Sequence, residues 1–205
     1  MRPTIFFAAL LSLLVAAPSF AQNPPPGVPT RVRGTVESLA GQTLVVKSRE
    51  GPSRTIALAP GFAVLGIVKK SLADIKTGDF VASTSVKGTD GKLHAVEVHL
   101  LSASLRGVVA EGQTPSDLVP DGLMTNATLG AVAKAPGGDV LHLTYKGVAV
   151  EVIVGPDVPV VAYVPADAGL LKPGAAVFLV AFKQPDGSLT AMRVAAEKDG
   201  VKPPM

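Results

Sequence analysis

The chain has 205 residues and carries 19 Lys and Arg against 16 Asp and Glu, a formal net charge of +3. That excess is too small and scattered to serve as an electrostatic footprint for nucleic acid. It contains no cysteine and no tryptophan, and aromatics make up 4% of it, which excludes disulfide and thiolate chemistry and leaves few stacking platforms for sugars or bases.

The first 21 residues read as an export signal. Arg2 gives the positive start, Ile5 to Ala17 is apolar, and Ser19-Phe20-Ala21 puts small residues at the −3 and −1 positions of a cleavage site. The apolar stretch is shorter than the ~20 residues needed to span a bilayer. The expectation is therefore cleavage after Ala21 and a periplasmic protein with no transmembrane segment in the mature chain. Residues 22–30, rich in proline, should form an extended, disordered tail.

From Arg31 the sequence reads as short strands separated by Gly, Pro and Asp. Val32–Ser38 and Thr43–Lys47 read as strands around a Gly41-Gln42 turn, followed by Arg54–Leu58 and an extended Ala63–Val68. Ser71 to Ile75 reads as one helical turn capped by Ser71. Phe80–Lys87 and Leu93–Leu101 then form a hairpin, because Asp90-Gly91 supplies the positive φ that its turn requires. Ala176–Lys183 and Leu189–Ala195 repeat that hairpin around Asp186-Gly187.

The repetition is general. Sliding the sequence by 96 positions lays 34–98 over 130–194 without a gap, with 16 identical pairs that include Gly51/Gly147, Gly78/Gly174, Asp90/Asp186 and Gly91/Gly187. The shared residues are turn formers and small apolar side chains, so the duplication concerns architecture. The fold class expected is all-β, with two tandem OB-like barrel repeats of about five to six strands plus one helical turn each, at 31–101 and 127–198. Closure into barrels would remove exposed sheet edges. A short tail, 199–205, follows. The inter-repeat segment, 102–126, has no partner copy, and its apolar residues should pack along the junction of the modules.

The stretches Arg33-Gly34-Thr35-Val36-Glu37-Ser38, Leu44-Val45-Val46-Lys47-Ser48, Ser71-Leu72-Ala73-Asp74-Ile75-Lys76-Thr77-Gly78 and Met124-Thr125-Asn126-Ala127-Thr128 resemble a family of exported bacterial proteins with tandem OB-like domains of unknown function. Its members are sometimes labelled "metal ABC transporter permease". The resemblance implies the same tandem fold, and the family offers no catalytic residues to transfer. Where similar proteins often have a His-Arg-Pro-Trp-like stretch, this chain has Gln113-Thr114-Pro115-Ser116.

The sequence holds no Gly-x-Ser-x-Gly, no His-Glu-x-x-His and no phosphate-cradling Gly-rich loop, so no enzyme is expected. The function expected is a non-enzymatic exported binding or scaffolding protein, without cofactor, whose partner is an envelope protein or a small ligand. Its contact site is expected at the module junction, where ligand sites concentrate, through Arg106, Glu111, Asp117 and Asn126. The alternative is a periplasmic metal-handling accessory of a transporter. Glu97 and His99 share a strand face and would be two ligands, against the plainer reading of exposed strand side chains. His94 and His99, five apart, should lie on opposite faces unless a bulge intervenes. Arg31, Arg33, Arg54, Lys69 and Lys70 are candidates for one basic face, against ordinary solubilising charge.

Overall fold

A computed structural model describes residues 26–204. The expected leader and residues 22–25 of the expected tail lie outside the described residues. The described residues form twelve strands, with three short 3₁₀ turns after the third, fifth and tenth of them. In chain order they are β1 (Val28–Ala40), β2 (Thr43–Ser48), β3 (Arg54–Lys70), β4 (Phe80–Lys87), β5 (Leu93–Leu101) and β6 (Gly112–Ser116). The second half supplies β7 (Gly122–Ala135), β8 (Gly138–Tyr145), β9 (Val148–Val154), β10 (Val160–Ala166), β11 (Ala176–Lys183) and β12 (Leu189–Ala196). No helix among the described residues is long and apolar enough to cross a membrane.

The chain is all-β and contains a closed five-stranded barrel. Pairing runs β12–β11–β1–β2–β3, and β3 returns to β12 in parallel, from Leu189↔Ile56 to Ala196↔Gly66. Inside it pack Val32, Val36, Leu44, Val46, Ile56, Val177, Leu179 and Ala191, all buried. Alternation along each strand sends these residues inward, and each such Val, Leu or Ile contributes about 1.5–3 kcal/mol on leaving water. Five of the other strands follow the same order, β7–β8–β9–β5–β4 and back to β7, with β5 meeting β9 in parallel at Leu93↔Val152 and His94↔Ile153. Val81, Val98, Ala127, Leu129, Leu141, Leu143 and Val152 fill this second ring.

This arrangement corrects the expectation that 31–101 and 127–198 each close on themselves. The first ring takes β1–β3 from the first copy but β11 and β12 from the second, and the second ring does the reverse. The cause is the length of β3. At about 3.3 Å per residue its 17 residues run roughly 55 Å, past the end of its own ring, so the following hairpin lands on the other one. Arg54–Leu58 and Ala63–Val68, expected as separate segments, are parts of this one strand, and the irregularity between them appears as a register shift between Ala191 and Arg193 in the pairing with β12.

Beyond its own ring, β3 pairs antiparallel with β10, from Val64↔Ala166 through Ile67↔Tyr163 to Lys70↔Val160. Shifting either partner by the 96-residue repeat maps this ladder onto itself. The pair Ile67/Tyr163 therefore sits on a pseudo-two-fold axis.

The gapless overlay fails in one place. Val36 exchanges backbone bonds with Ala175 and Gly174, as Leu129 does with Asp79 and Gly78. Val36 thus corresponds to Leu129, three residues from its place in the overlay, and the bulges after Val36 and Leu129 correspond as well. Beyond the bulge, the β7–β8 hairpin is longer than β1–β2 by two paired positions. One further expectation changes, and the inter-repeat segment gains a strand. Val28–Thr30, read as tail, already pairs with β11, and the inter-repeat segment contributes β6, which forms a hairpin with β7 from Gly112↔Asn126 to Ser116↔Gly122.

Candidate functional site

The outer face of the β4–β5–β7 sheet meets the outer face of β1 and β11 across a cavity of about 500 Å³. On one side, register places Ala82 beside His99 and Asn126, and Thr84 beside Glu97 and Met124. On the other, Arg33 lies beside Phe178 and Arg31 beside Val180. Leu105, Val108, Val109 and Leu118 of the inter-repeat segment cover the gap, and Tyr163 reaches it from the pseudo-symmetry axis. Most of the lining is apolar, which makes the polar groups within it stand out.

Glu97 and His99 are 4% and 6% exposed. The Glu97 carboxylate accepts a bond from Thr84 Oγ1 at 2.8 Å on Oε1, and its Oε2 lies 3.1 Å from His99 Nε2. Those two atoms are not aligned for a hydrogen bond. Both, together with His99 Nδ1, are buried without a hydrogen-bond partner among the described residues. Such groups are uncommon, because an unsatisfied buried polar atom costs about 1–3 kcal/mol. The His99 ring stacks on Tyr163, with centroids 5.4 Å apart and planes 23° apart. Burial, with the nearby Glu97 charge, pushes the Tyr163 phenol above its ordinary value, so it stays protonated.

At the rim, Arg33 donates two bonds to Asp117, at 2.8 and 3.3 Å, and its guanidinium lies 5.4 Å from the Phe178 ring centre. Arg31 stands 3.7 Å from the same carboxylate. The Arg33 hydrogen bonds, then the charges of Arg33 and Arg31, hold the Asp117 carboxyl below its ordinary value. This clamp fixes the turn after β6 against β1. Arg193 also lines the cavity and is exposed.

The expected site residues divide into two groups. Asp117, Asn126, Glu97 and His99 all line this cavity, and Asn126 Nδ2 also donates to the Ala110 carbonyl at 3.2 Å. Arg106 and Glu111 do not line it. Arg106 donates to Thr128 Oγ1 at 2.9 Å and to the Gly78 carbonyl, lies 5.1 Å from the Phe80 ring centre, and stands 3.9 Å from Glu111. These two residues pin the inter-repeat segment to the β4–β7 end of the sheet.

The reading of Glu97 and His99 as exposed strand side chains is overturned by their burial. The bulge that was required also exists. Thr84 pairs with Glu97 and Ser85 with Ala95, so Val96 is skipped and His94, Glu97 and His99 share a face. His94 nevertheless stands apart, half-exposed and 3.1 Å from Asp90. No group of three or more His, Cys, Asp or Glu is arranged to hold a metal among the described residues. The basic face does not assemble either. Arg31 and Arg33 turn to the cavity, whereas Lys69 and Lys70 border a separate groove between the end of β3 and the 155–159 loop.

Thr84 and Tyr163 were missed. A signal for Thr84 exists in the overlay of the two copies, where Ser83-Thr84-Ser85 falls on Leu179-Val180-Ala181 and Glu97 and His99 fall on Arg193 and Ala195. A scan against protein-family models, a search of the curated proteins and a search of the solved structures each find no match to this chain.

Proposed function

We propose that this is a non-enzymatic exported binding protein, built from two OB-like modules that exchange a hairpin, with a small ligand held in the cavity between them. The observation that carries this reading is the cavity itself. Its ~500 Å³ falls within the range of small-molecule sites, and its lining is apolar with a few convergent polar groups. Its position between the two rings is also where such sites concentrate. In this reading the inter-repeat segment is the cover of the site, which accounts for its apolar residues and for the Arg33–Asp117 clamp.

The test uses the fluorophore 8-anilinonaphthalene-1-sulfonate, whose emission rises in apolar pockets. Saturable enhancement at one dye per chain is expected. Ala82→Leu and Val180→Trp, which fill the cavity from opposite walls, should each weaken dye binding at least tenfold. Failure of the folded protein to bind the dye saturably, or undiminished binding by both variants, overturns the proposal.

A further inference from the structure

We infer that the ligand of this cavity is an uncharged, mainly apolar molecule bearing a hydroxyl group, an alcohol or a phenol, whose oxygen bridges Glu97 and His99. This rests on the cavity being a binding site and adds the chemistry of what enters it.

Two of the buried atoms that lack hydrogen-bond partners are Glu97 Oε2 and His99 Nε2. Glu97 Oε2 accepts hydrogen bonds only, and it faces His99 Nε2 at 3.1 Å. An imidazole nitrogen held against a carboxylate carries the hydrogen, which makes Nε2 a donor. The neighbouring need is therefore one acceptor and one donor, on atoms close enough together for one ligand oxygen to reach both. A hydroxyl meets it with a single atom, donating its hydrogen to Oε2 and accepting one from Nε2. A ketone or ether oxygen satisfies only the histidine and repels the carboxylate. An ammonium satisfies only the carboxylate.

Charge points the same way. Arg31, Arg33 and Arg193 line the cavity against the two carboxylates Glu97 and Asp117, so its surroundings disfavour a cation. An anionic head placed beside Glu97 would be repelled by it. The rest of the ligand must be apolar, because Leu101, Val109, Met124, Phe178 and Phe182 form its walls. The flat stack of His99 on Tyr163 offers a surface for a ring.

A matched set of probes separates these possibilities. 1-Naphthol, naphthalene and 1-naphthylmethylamine share one ring system and differ in the group presented to the pair. Naphthol is the more water-soluble of the first two, so burial alone would make it bind more weakly than naphthalene. In dye displacement and calorimetry, naphthol should bind the wild-type protein at least tenfold more tightly than naphthalene, with the amine no tighter than naphthalene. In the double variant Glu97→Leu/His99→Phe the advantage of naphthol should disappear while the dye still binds, which shows that the cavity survives. Equal binding of naphthol and naphthalene, or an advantage that persists in the double variant, overturns the inference and means that solvent rather than ligand satisfies the pair. Dye binding without any naphthol binding overturns the hydroxyl chemistry but leaves the binding-protein reading intact. Absence of dye binding removes both.

Discussion

The hairpin β4–β5 and its pseudo-symmetric counterpart β11–β12 occupy corresponding places in the two rings, yet they differ in chemistry. Val81 and Val177 fill the same inward position, as do Val98 and Val194, and all four are buried. Around them Ser83, Thr84, Ser85, Glu97 and His99 of the first hairpin are buried polar residues. The second hairpin has Leu179, Val180, Ala181, Arg193 and Ala195 at those positions, of which Leu179, Ala181 and Ala195 are buried. On the axis, Tyr163 stacks on His99 on one side, whereas Ile67 clusters with Ala195 on the other. The same backbone path thus carries a polar set in one hairpin and, apart from the exposed Arg193, an apolar set in the other. Burying five polar side chains costs stability that the second hairpin does not give up, and three of the five, Thr84, Glu97 and His99, line the cavity.

Making the first hairpin resemble the second gives the largest effect. His99→Phe keeps a ring on Tyr163 but leaves Glu97 buried without its neighbour, and should cost about 3–5 kcal/mol in urea unfolding. Adding Glu97→Leu replaces the whole pair by apolar groups and should recover most of that loss, to within about 1 kcal/mol of wild type or above it. Simply additive costs for the two substitutions would show that the pair is not coupled, and the contrast between the hairpins would lose its energetic meaning.

A smaller effect tests the correspondence of the rings through their first strands. Gly34 faces Val177 as Ala127 faces Val81, so the two are equivalent despite lying 93 residues apart. They are not interchangeable. A Cβ on Gly34 would sit 2.0 Å from the Lys47 carbonyl oxygen, and no side-chain rotation relieves a clash with backbone. Gly34→Ala should cost about 3 kcal/mol or more, against about 1 kcal/mol for Ala127→Gly in a strand. Thermal unfolding of the two variants side by side measures the difference. Equal losses would mean that β1 does not approach β2 as closely as described.

Local chemistry made the strands legible in sequence. Asp90-Gly91 and Asp186-Gly187 marked both hairpins, and the described β4, β5 and β11 fall at the expected residues. Which strands pair was not legible, because local pattern does not reveal that β3 runs far enough to deliver its hairpin to the other ring. The cavity was partly legible. Glu97 and His99 were recognised as sharing a face, but their burial depends on the inter-repeat segment and on Tyr163, 64 residues beyond His99. Arg106 and Glu111 drew attention because they lie in the unpartnered segment, and position in a segment does not say which way a side chain turns. Subtracting one copy from the other is the better guide, since Thr84, Glu97 and His99, three of the five buried polar positions without an equivalent, line the cavity.

The last prediction concerns the inter-repeat segment, which lies over the outer face of β4, β5 and β7 and has no counterpart among the described residues of the second copy. Asp117 is clamped by Arg33 and Arg31, and its carboxyl titrates below its ordinary value in the folded protein. A carboxyl depressed by folding contributes stability that is fully present above its unfolded value and is lost as pH falls through its folded value. Acidification below about pH 4, the usual carboxylate range, should therefore loosen the β6–β7 turn from β1 before the rings unfold. Because the Asp117 side chain is 49% exposed, solvent screens the pair and the effect on global stability is small. The sensitive measurement is local. Amide hydrogen exchange across residues 112–122 should accelerate in acid, after correction for intrinsic rates, while β4 and β11 remain protected. Asp117→Asn, which weakens the charged clamp without changing its shape, should show the faster exchange already at neutral pH and little further response to acid. Equal acid sensitivity in both proteins would place the titrating group elsewhere.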